Sequence, residues 1–269
     1  MRLWSALWGH LLNALFPPVC ASCKREGDFM CADCLASLAK RRIVARGRRR
    51  SPPEFRYLDG LVYALDYEKN PQIKAAIKQF KYRFTEELAW PFARLLDEKL
   101  SELGMVRDRS ITLIPIPLHP SRFRERGFNQ AEVVAKTLQQ VSHHAIAIGP
   151  LLERVKATSQ QAKLSRDGRH ENLKEAFIMN KKFIQYFSLH AQAGPQFSWG
   201  ERNKGEEKLI KRSERKKSCA SDPLYFLVDD VCTTGATLEN AAKVLKEAGV
   251  PKVYGLVIAR AFASGRSGA

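Results

Sequence analysis

The segment FLVDDVCTTGATL, from Phe226 to Leu238, carries the residues best suited to chemistry. The apolar run from Leu224 to Val228 predicts a strand buried on both faces, as in parallel sheets. Two carboxylates, Asp229 and Asp230, follow where that strand is expected to end. The small residues from Thr233 to Thr237 leave backbone N–H groups and hydroxyls free to surround an anion.

A helical pattern follows this loop, from Leu238 to Ala248, and is expected to end at Gly249. The loop would then lie between the end of a strand and the N-terminus of a helix, where N–H donors and the helix dipole favour a phosphate. The acidic pair disfavours phosphate but accepts hydrogen bonds from a neighbouring diol. The segment therefore predicts a sugar-phosphate site; an ordinary strand–turn–helix with a Thr-rich cap is the alternative.

This segment resembles the ribose-5-phosphate-binding motif of type I phosphoribosyltransferases, which bind phosphoribosyl pyrophosphate (PRPP). The resemblance implies that Asp229 and Asp230 hold the ribose 2′- and 3′-hydroxyls and act in catalysis. It also implies a Mg²⁺ ion that bridges diphosphate and ribose oxygens. The 5′-phosphate would be held by the loop residues Thr233, Thr234, Gly235, Ala236 and Thr237.

A second segment, TLIPIPLHPSRFRERGFNQ at 112–130, begins as a strand predicted over Ile111–Pro117. A proline-stiffened loop is expected to follow, with the basic side chains His119, Arg122, Arg124 and Arg126. Arginines at alternating positions cannot all line one helix face, but in a loop they can converge on pyrophosphate. A solvated basic loop is the alternative interpretation.

The second segment resembles the pyrophosphate-side loop and the RGFNQ signature of the ComF (GntX-like) branch of the phosphoribosyltransferase superfamily. The resemblance implies that His119, Arg122 and Arg126 bind pyrophosphate, and that Arg122 and Arg126 stabilise it as it departs.

A third segment, 154–177, resembles the same branch through Arg154, Thr158, Gln161, Leu164, Arg169, Asn172-Leu173 and Ala176-Phe177. It is polar and lacks a core stripe, which is typical of a hood that closes over a bound diphosphate and excludes water. The implied hood residues are Arg154, Gln161, Arg169 and Asn172. Taken without its neighbours, the segment would read as a disordered loop.

Four cysteines near the N-terminus, Cys20, Cys23, Cys31 and Cys34, form a C-x2-C-x7-C-x2-C pattern. Two such knuckles can complete a tetrahedral S4 site for Zn²⁺. A redox role is the alternative, but two successive pairs without a thioredoxin-like setting favour structural zinc. Zinc would contribute to the folding of a segment too small to hold a core unaided.

The alternation of strands and helices predicts an α/β fold with a mostly parallel sheet and flanking helices. The predicted elements are strands at Leu61–Tyr67 and Ile111–Pro117, and helices at Ile73–Phe80, Leu88–Leu103 and Ala131–Leu138. The resemblance specifies a type I phosphoribosyltransferase-like fold with a flexible hood. The predicted units are a zinc lobe at 1–39, a basic linker at 40–56 and the main domain at 57–269, with a polar basic insertion at about 181–221.

The chain of 269 residues has a formal net charge of +17 and an isoelectric point near 9.8. Such an excess suits a polyanionic partner, either PRPP or nucleic acid. No apolar run of about 18 residues predicts a membrane helix, and Met1–Phe16 shows no signal-peptide cleavage pattern. The paired cysteines fit a reducing cytoplasm, so a cytoplasmic protein without stable membrane insertion is expected.

Two functions remain open. One is an enzyme that transfers the phosphoribosyl group of PRPP to a nitrogen nucleophile and releases pyrophosphate. The other is an accessory protein of DNA uptake, because the ComF family is associated with natural competence, single-stranded DNA and a helicase-like partner. In that case the PRPP site would be regulatory, and the basic segments with Phe123 and Phe128 would contact phosphates and bases.

Overall fold

The computed structural model describes residues 17–40, 55–82, 85–107, 109–156, 176–180 and 223–262. Within these ranges the central element is a five-stranded parallel sheet in the order β1-β7-β6-β2-β3. A separate antiparallel pair joins β4 to β5. The strands are β1 (Gly60–Asp66), β2 (Ile111–Pro115), β3 (Ile146–Ile148), β4 (Leu152–Arg154), β5 (Phe177–Met179), β6 (Leu224–Cys232) and β7 (Val253–Arg260).

Helices cover both faces of the sheet. The described helices are α1 (Ala32–Lys40), α2 (Pro71–Tyr82), α3 (Ala89–Glu102), α4 (Pro120–Arg126), α5 (Gln130–Val141) and α6 (Ala236–Glu247). Short 3₁₀ turns span Glu86–Leu88 and Gly104–Val106. Helices α2, α3 and α5 pack into one apolar core, whereas α6 packs into a second core on the opposite face. This arrangement confirms the predicted α/β fold and is consistent with a phosphoribosyltransferase-like architecture.

Strand β6 contributes side chains to both cores. Phe226 and Val228 lie in the core beneath α3 and α5, while Leu227 lies in the core beneath α6. This is the two-residue alternation of a strand, applied to a segment that is apolar on both faces. The predicted buried strand is therefore confirmed.

The prediction that this strand ends at the acidic pair is wrong. Pairing with β2 stops at Pro115 opposite Val228, but pairing with β7 continues to Cys232 opposite Arg260. Asp229 and Asp230 thus lie where β6 loses one neighbour and keeps the other. The backbone hydrogen bonds to β7 hold the acidic pair in an extended conformation, and the lost neighbour leaves a cleft beside it.

This cleft is at a topological switch point. After β2 the chain continues through α5 to β3 at one edge, and after β6 it continues through α6 to β7 in the other direction. The two helices also cover opposite faces of the sheet. In open α/β sheets, ligands bind outside the carboxyl ends of the strands at such a point.

The N-terminal lobe shares the main core. Its buried residues Ala21, Met30 and Leu38 belong to the same apolar cluster as Ile73 and Phe80 of α2. The predicted boundaries at 1–39, 40–56 and 57–269 remain predictions. Met1–Phe16, the basic run at 41–50 and the insertion at about 181–221 lie outside the described residues. Among the described helices, none has the length and apolar character needed to cross a bilayer.

Candidate functional site

A cleft of about 1040 Å³, part of it open to solvent, lies at the carboxyl ends of β2 and β6. Its walls come from five separate parts of the chain: Tyr67 after β1, the end of α2, the segment from Ile116 into α5, Arg154 of β4, and the end of β6 with the loop into α6. The predicted ribose-phosphate residues Asp229, Asp230 and Thr233 to Thr237 all line it. Their common position is observed; their ligand remains a prediction.

The loop between β6 and α6 is built around Gly235. Its φ of +80° is strained for any residue with a side chain, and a Cβ there would collide with the ring of Phe55. Gly235 allows the chain to turn so that α6 begins at Ala236, directly at the cleft. The first N–H groups of a helix have no partners within it, so this end of α6 favours an anion.

A short segment at 55–58, which we call the strap, holds the other side of this helix. The carboxylate of Glu239 in α6 accepts hydrogen bonds from three consecutive backbone N–H groups, those of Arg56 at 2.5 Å, Tyr57 at 2.7 Å and Leu58 at 3.2 Å. The ring of Phe55 packs on Gly235. The strap therefore fixes the loop and the first turn of α6 against each other.

The two acids of the pair have different surroundings. Asp230 is only 7% exposed, and its Oδ1 lies 2.9 Å from Nζ of Lys81. Asp229 is half-buried, and its Oδ1 accepts a hydrogen bond of 2.8 Å from the backbone N–H of Asp230. Burial and the charge of Asp230 raise the pKa of Asp229 to about 7, although Lys81, the Asp230 amide and Arg154 act in the opposite direction.

Lys81, at the end of α2, is a site residue that sequence reasoning missed. Burial alone would lower its pKa, but attraction to Asp230 and to Asp229 outweighs burial and the repulsion from Arg126, so the pKa is raised. The ammonium is therefore charged at physiological pH. Its sequence signal was weak: a lysine directly after Phe80, the last buried residue of an amphipathic helix.

The predicted loop after β2 is a helix, α4, which corrects the sequence interpretation. Pro120 at the first turn, His119 as N-cap and Gly127 with a φ of +74° after the last turn define it. Arg122 and Arg126 lie four residues apart on one helix face, and both line the cleft. Arg124 is exposed and does not line it.

His119 does not line the cleft, unlike the two arginines predicted with it. Its Nδ1 accepts a hydrogen bond from the backbone N–H of Ser121 at 3.3 Å and lies 2.8 Å from the Ser121 hydroxyl. The imidazole thus caps α4. Its contribution to the site in this structure is to start the helix that carries the arginines.

Each residue of the RGFNQ signature has an identifiable place. Arg126, 8% exposed, lies over the Tyr82 ring at 5.4 Å, and Gly127 ends α4.

Phe128 is buried against Phe80, with ring centroids 5.7 Å apart, so it cannot stack on a base as the sequence suggested. The last two residues are Asn129, which caps α5 and donates to the Ile116 carbonyl, and Gln130, which accepts from Arg126 at 3.0 Å.

One predicted hood residue, Arg154 in β4, lines the cleft. Its guanidinium lies 5.4 Å from the Phe177 ring on the paired strand β5. Burial and the nearby charges of Arg122 and Arg126 lower the pKa of Arg154, against the attraction of Asp229. The remaining predicted hood residues, Gln161, Arg169 and Asn172, lie outside the described residues.

The cleft carries an excess of positive charge. Four cationic side chains line it, against two carboxylates: Lys81, Arg122, Arg126 and Arg154. Arginine forks bind phosphate oxygens in a bidentate manner, and a lysine contributes a compact charge. The cations come from α2, α4 and β4, whereas the carboxylates and the small-residue loop come from the end of β6. The arrangement suits a ligand with a polyol in the middle and phosphates at both ends.

The four cysteines of the N-terminal lobe converge as predicted. Their sulfur atoms all lie within 4.8 Å of one another, and the Cys23 and Cys31 sulfurs are 3.6 Å apart. Zn–S bonds of about 2.3 Å place tetrahedral thiolates about 3.8 Å from one another, so the group fits Zn²⁺. Burial raises the pKa of Cys20, but amide hydrogen bonds led by Cys23 and Cys31 outweigh it and lower the pKa to about 6. These amides thus favour the thiolate form of Cys20, which a metal requires. At Cys31 the Cys34 amide lowers the pKa, but burial and hydrogen bonds with the other cysteines raise it to about 12.

No protein-family model matches this chain. It is 26% identical to the DNA utilization protein YhgH of Salmonella typhimurium, over 87% of this chain and 86% of that protein. It is 28% identical to Competence protein F of Haemophilus influenzae, over 69% of this chain and 66% of that protein. It is also 28% identical to Competence protein ComFC of Bacillus subtilis, over 68% of this chain but only 57% of the Bacillus protein. These similarities support the resemblance to the ComF family. The N-terminal cysteine cluster and the parallel sheet found in the structure agree with that resemblance.

Proposed function

We propose that this protein binds PRPP in the cleft and transfers its phosphoribosyl group to a nitrogen nucleophile, with release of pyrophosphate. The observation that carries the proposal is the division of one cleft into two chemically distinct halves. In one half, a small-residue loop at a helix N-terminus lies beside two carboxylates. Four cationic side chains line the rest of the cleft. PRPP has a matching sequence of phosphate, diol and diphosphate.

The loop would hold the 5′-phosphate through N–H groups in the first turn of α6 and the hydroxyls of Thr233, Thr234 and Thr237. The carboxylates at the end of β6 would accept hydrogen bonds from the ribose hydroxyls. Both contacts come from one rigid strand–loop–helix unit, which the strap holds in place. The ribose would thus be oriented before the reaction begins.

In the transfer itself, the bond from C1 to the diphosphate oxygen breaks and a bond from C1 to nitrogen forms. The bonding electrons leave with pyrophosphate, and the nucleophile's proton is lost to solvent or to a base. Arg122, Arg126 and Arg154 would stabilise the charge that develops on the departing group, and Asp229 would stabilise the positive ribose. Mg²⁺, which the resemblance implies, would neutralise diphosphate charge when bound with PRPP.

The direct test is pyrophosphate release from PRPP, measured across a panel of nucleobases and amines. Asp229→Asn should abolish release, and Glu153→Gln, which neutralises an exposed carboxylate outside the cleft, should not change it. Zinc content should be equal in both variants. No release with any acceptor, despite measurable PRPP binding by the wild-type protein, would reject turnover.

A second function is supported by the relatives' names and by the exposed face of α4. We propose as the alternative that the protein is a cytoplasmic accessory of DNA uptake, which binds single strands beside a helicase-like partner and uses PRPP as a regulator. Phe123 is 47% exposed on α4, directly before the exposed Arg124. An exposed aromatic beside an arginine suits base stacking together with phosphate contact.

Salt titration of single-stranded DNA binding tests this alternative. Several phosphate contacts require a steep negative slope of log K against log salt. Phe123→Ala should weaken binding, and Trp90→Ala should not, because Trp90 is a comparably exposed aromatic on α3, a helix that carries none of the cleft arginines. A slope near zero would reject DNA binding, whatever the result of the pyrophosphate assay.

A further inference from the structure

We propose that Lys81 is a diphosphate-binding residue of the cleft and that Asp230 positions it, which leaves Asp229 as the carboxylate that receives the ribose diol. The inference rests on the proposed PRPP site and deepens it. It adds a cation that no sequence motif indicated, and it divides an acidic pair that the sequence treats as one unit.

The first step is the fixed position of the Lys81 ammonium. Lys81 lies in the last turn of α2, whose Ile77 and Phe80 are buried in the main core. Its Nζ is 2.9 Å from the Asp230 Oδ1, and its side chain is 23% exposed where it lines the cleft. The helix and the ion pair together hold the charge at one place in the wall.

The second step is the remaining hydrogen-bonding capacity. An ammonium group has three donors and no acceptor. Among the described residues, the ion-pair partner of Lys81 is Asp230, so the carboxylate leaves donor capacity on a group that faces the cleft. Lys81 also feels the repulsion of Arg126, which places the two cations in the same region of the wall. A multiply charged anion bound between them would relieve that repulsion.

The third step is the asymmetry of the acids. Asp230 is nearly buried and already paired, so a ribose hydroxyl would have to compete with a charged partner for it. Asp229 is half-buried, and its Oδ1 accepts the Asp230 N–H. Among the described residues its second oxygen has no hydrogen bond, so it would be the one to receive the ligand. The strand alternation that turns Asp230 toward α2 leaves its neighbour toward the opposite side.

A purely structural role for Lys81 makes a different prediction. If Lys81 only neutralises a buried carboxylate, removal of both charges should leave anion binding intact, because neither partner remains unpaired. Removal of both also preserves the net charge of the protein, so the long-range field on an anion is unchanged. The double variant Lys81→Met with Asp230→Asn therefore separates the two roles.

The experiment is calorimetric titration of wild-type, K81M, D230N and K81M/D230N proteins with inorganic pyrophosphate and with ribose 5-phosphate, in Mg²⁺ buffer. Thermal unfolding is measured in parallel. We expect K81M alone to be destabilised, and the double variant to regain most of the lost stability. In the double variant, pyrophosphate affinity should fall at least about tenfold, the scale of one charged hydrogen bond. Its ribose 5-phosphate affinity should stay within about threefold of wild type.

Two outcomes would overturn the inference. Pyrophosphate affinity in the double variant within about threefold of wild type would show that Lys81 does not bind the diphosphate. A loss of ribose 5-phosphate affinity of at least about tenfold in D230N alone would show that Asp230 receives the diol. The proposed function fails separately, if the wild-type protein binds neither probe nor PRPP.

Discussion

The raised pKa of Asp229 predicts that the affinity of the cleft for a ribose ligand increases with pH. The pKa of Asp229 is raised to about 7, chiefly by burial and by the charge of Asp230. A group with this pKa is about 10% ionised at pH 6 and about 90% ionised at pH 8. The ionised carboxylate is the better acceptor for a diol. The Asp229 contribution to ribose 5-phosphate affinity should therefore rise about tenfold across this interval.

The assay is calorimetric titration with ribose 5-phosphate at pH 6, 7 and 8, for the wild-type protein and for Asp229→Asn. The phosphate of the ligand also ionises, near pH 6, and changes both affinities alike. The informative quantity is thus the ratio of the wild-type to the variant association constant at each pH. A ratio that does not change between pH 6 and pH 8 would refute the assignment of Asp229 to the diol.

The same pKa fixes the sign of a stability trend. Between about pH 4 and pH 7 the folded protein retains a proton on Asp229 that the unfolded chain, with an ordinary pKa of 3.8, has released. The stability that this proton contributes is fully present below about pH 4 and is lost as the pH rises through 7. Asp229→Asn should therefore gain stability relative to wild type from pH 5 to pH 8 in urea unfolding. A constant difference at both pH values would contradict the raised pKa.

Three further predictions concern the loop, the arginines and the metal. Gly235→Ala should lower the free energy of unfolding by about 1–3 kcal/mol, because the backbone at this position is left-handed and the Phe55 ring occupies the place of a Cβ. Adding Phe55→Ala to this variant should restore part of the lost stability, as measured by urea unfolding. Arg122→Ala should weaken pyrophosphate binding at least about tenfold in titration, whereas Arg124→Ala, with the same charge change on the exposed face of α4, should weaken it by less than about threefold. Removal of metal with a chelator should lower the thermal midpoint of the main body, because the lobe shares its core; a midpoint unchanged by the chelator would contradict that coupling.

The parts of the site that sequence could predict are local in the chain. The apolar run, the acids, the small residues and the helix pattern of 224–249 follow one another directly, so their order alone indicates a strand–loop–helix. The four cysteines were predictable for the same reason, since their spacing is the metal-site signal. Helix α3 was predictable from its apolar stripe.

The parts that sequence did not reveal depend on distant partners. The pairing of Lys81 with Asp230 joins the end of α2 to the end of β6, and no periodicity in either element indicates it. The continuation of β6 to Cys232 depends on its pairing with β7, which comes later in the chain. The error at α4 is different in kind, because Pro120 and Gly127 are helix-boundary signals within the segment itself. The sequence interpretation needed a loop to bring the arginines together. The four-residue spacing of Arg122 and Arg126 already places them on one face of a helix.

The dispersed origin of the cleft has a consequence for how the protein matures. Its walls include α2, α4, β4 and β6, which are far apart in the chain. In the parallel sheet, the central strand β6 is synthesised after every other strand except β7. Parallel pairings between distant segments form slowly, because the intervening chain must be ordered before the contacts compensate for it. A nascent chain that has not yet added β6 has neither the two carboxylates nor the small-residue loop that line the cleft. The complete cleft would thus form only in the last stage of folding, and binding of the proposed ligand would report the completed sheet rather than any of its parts.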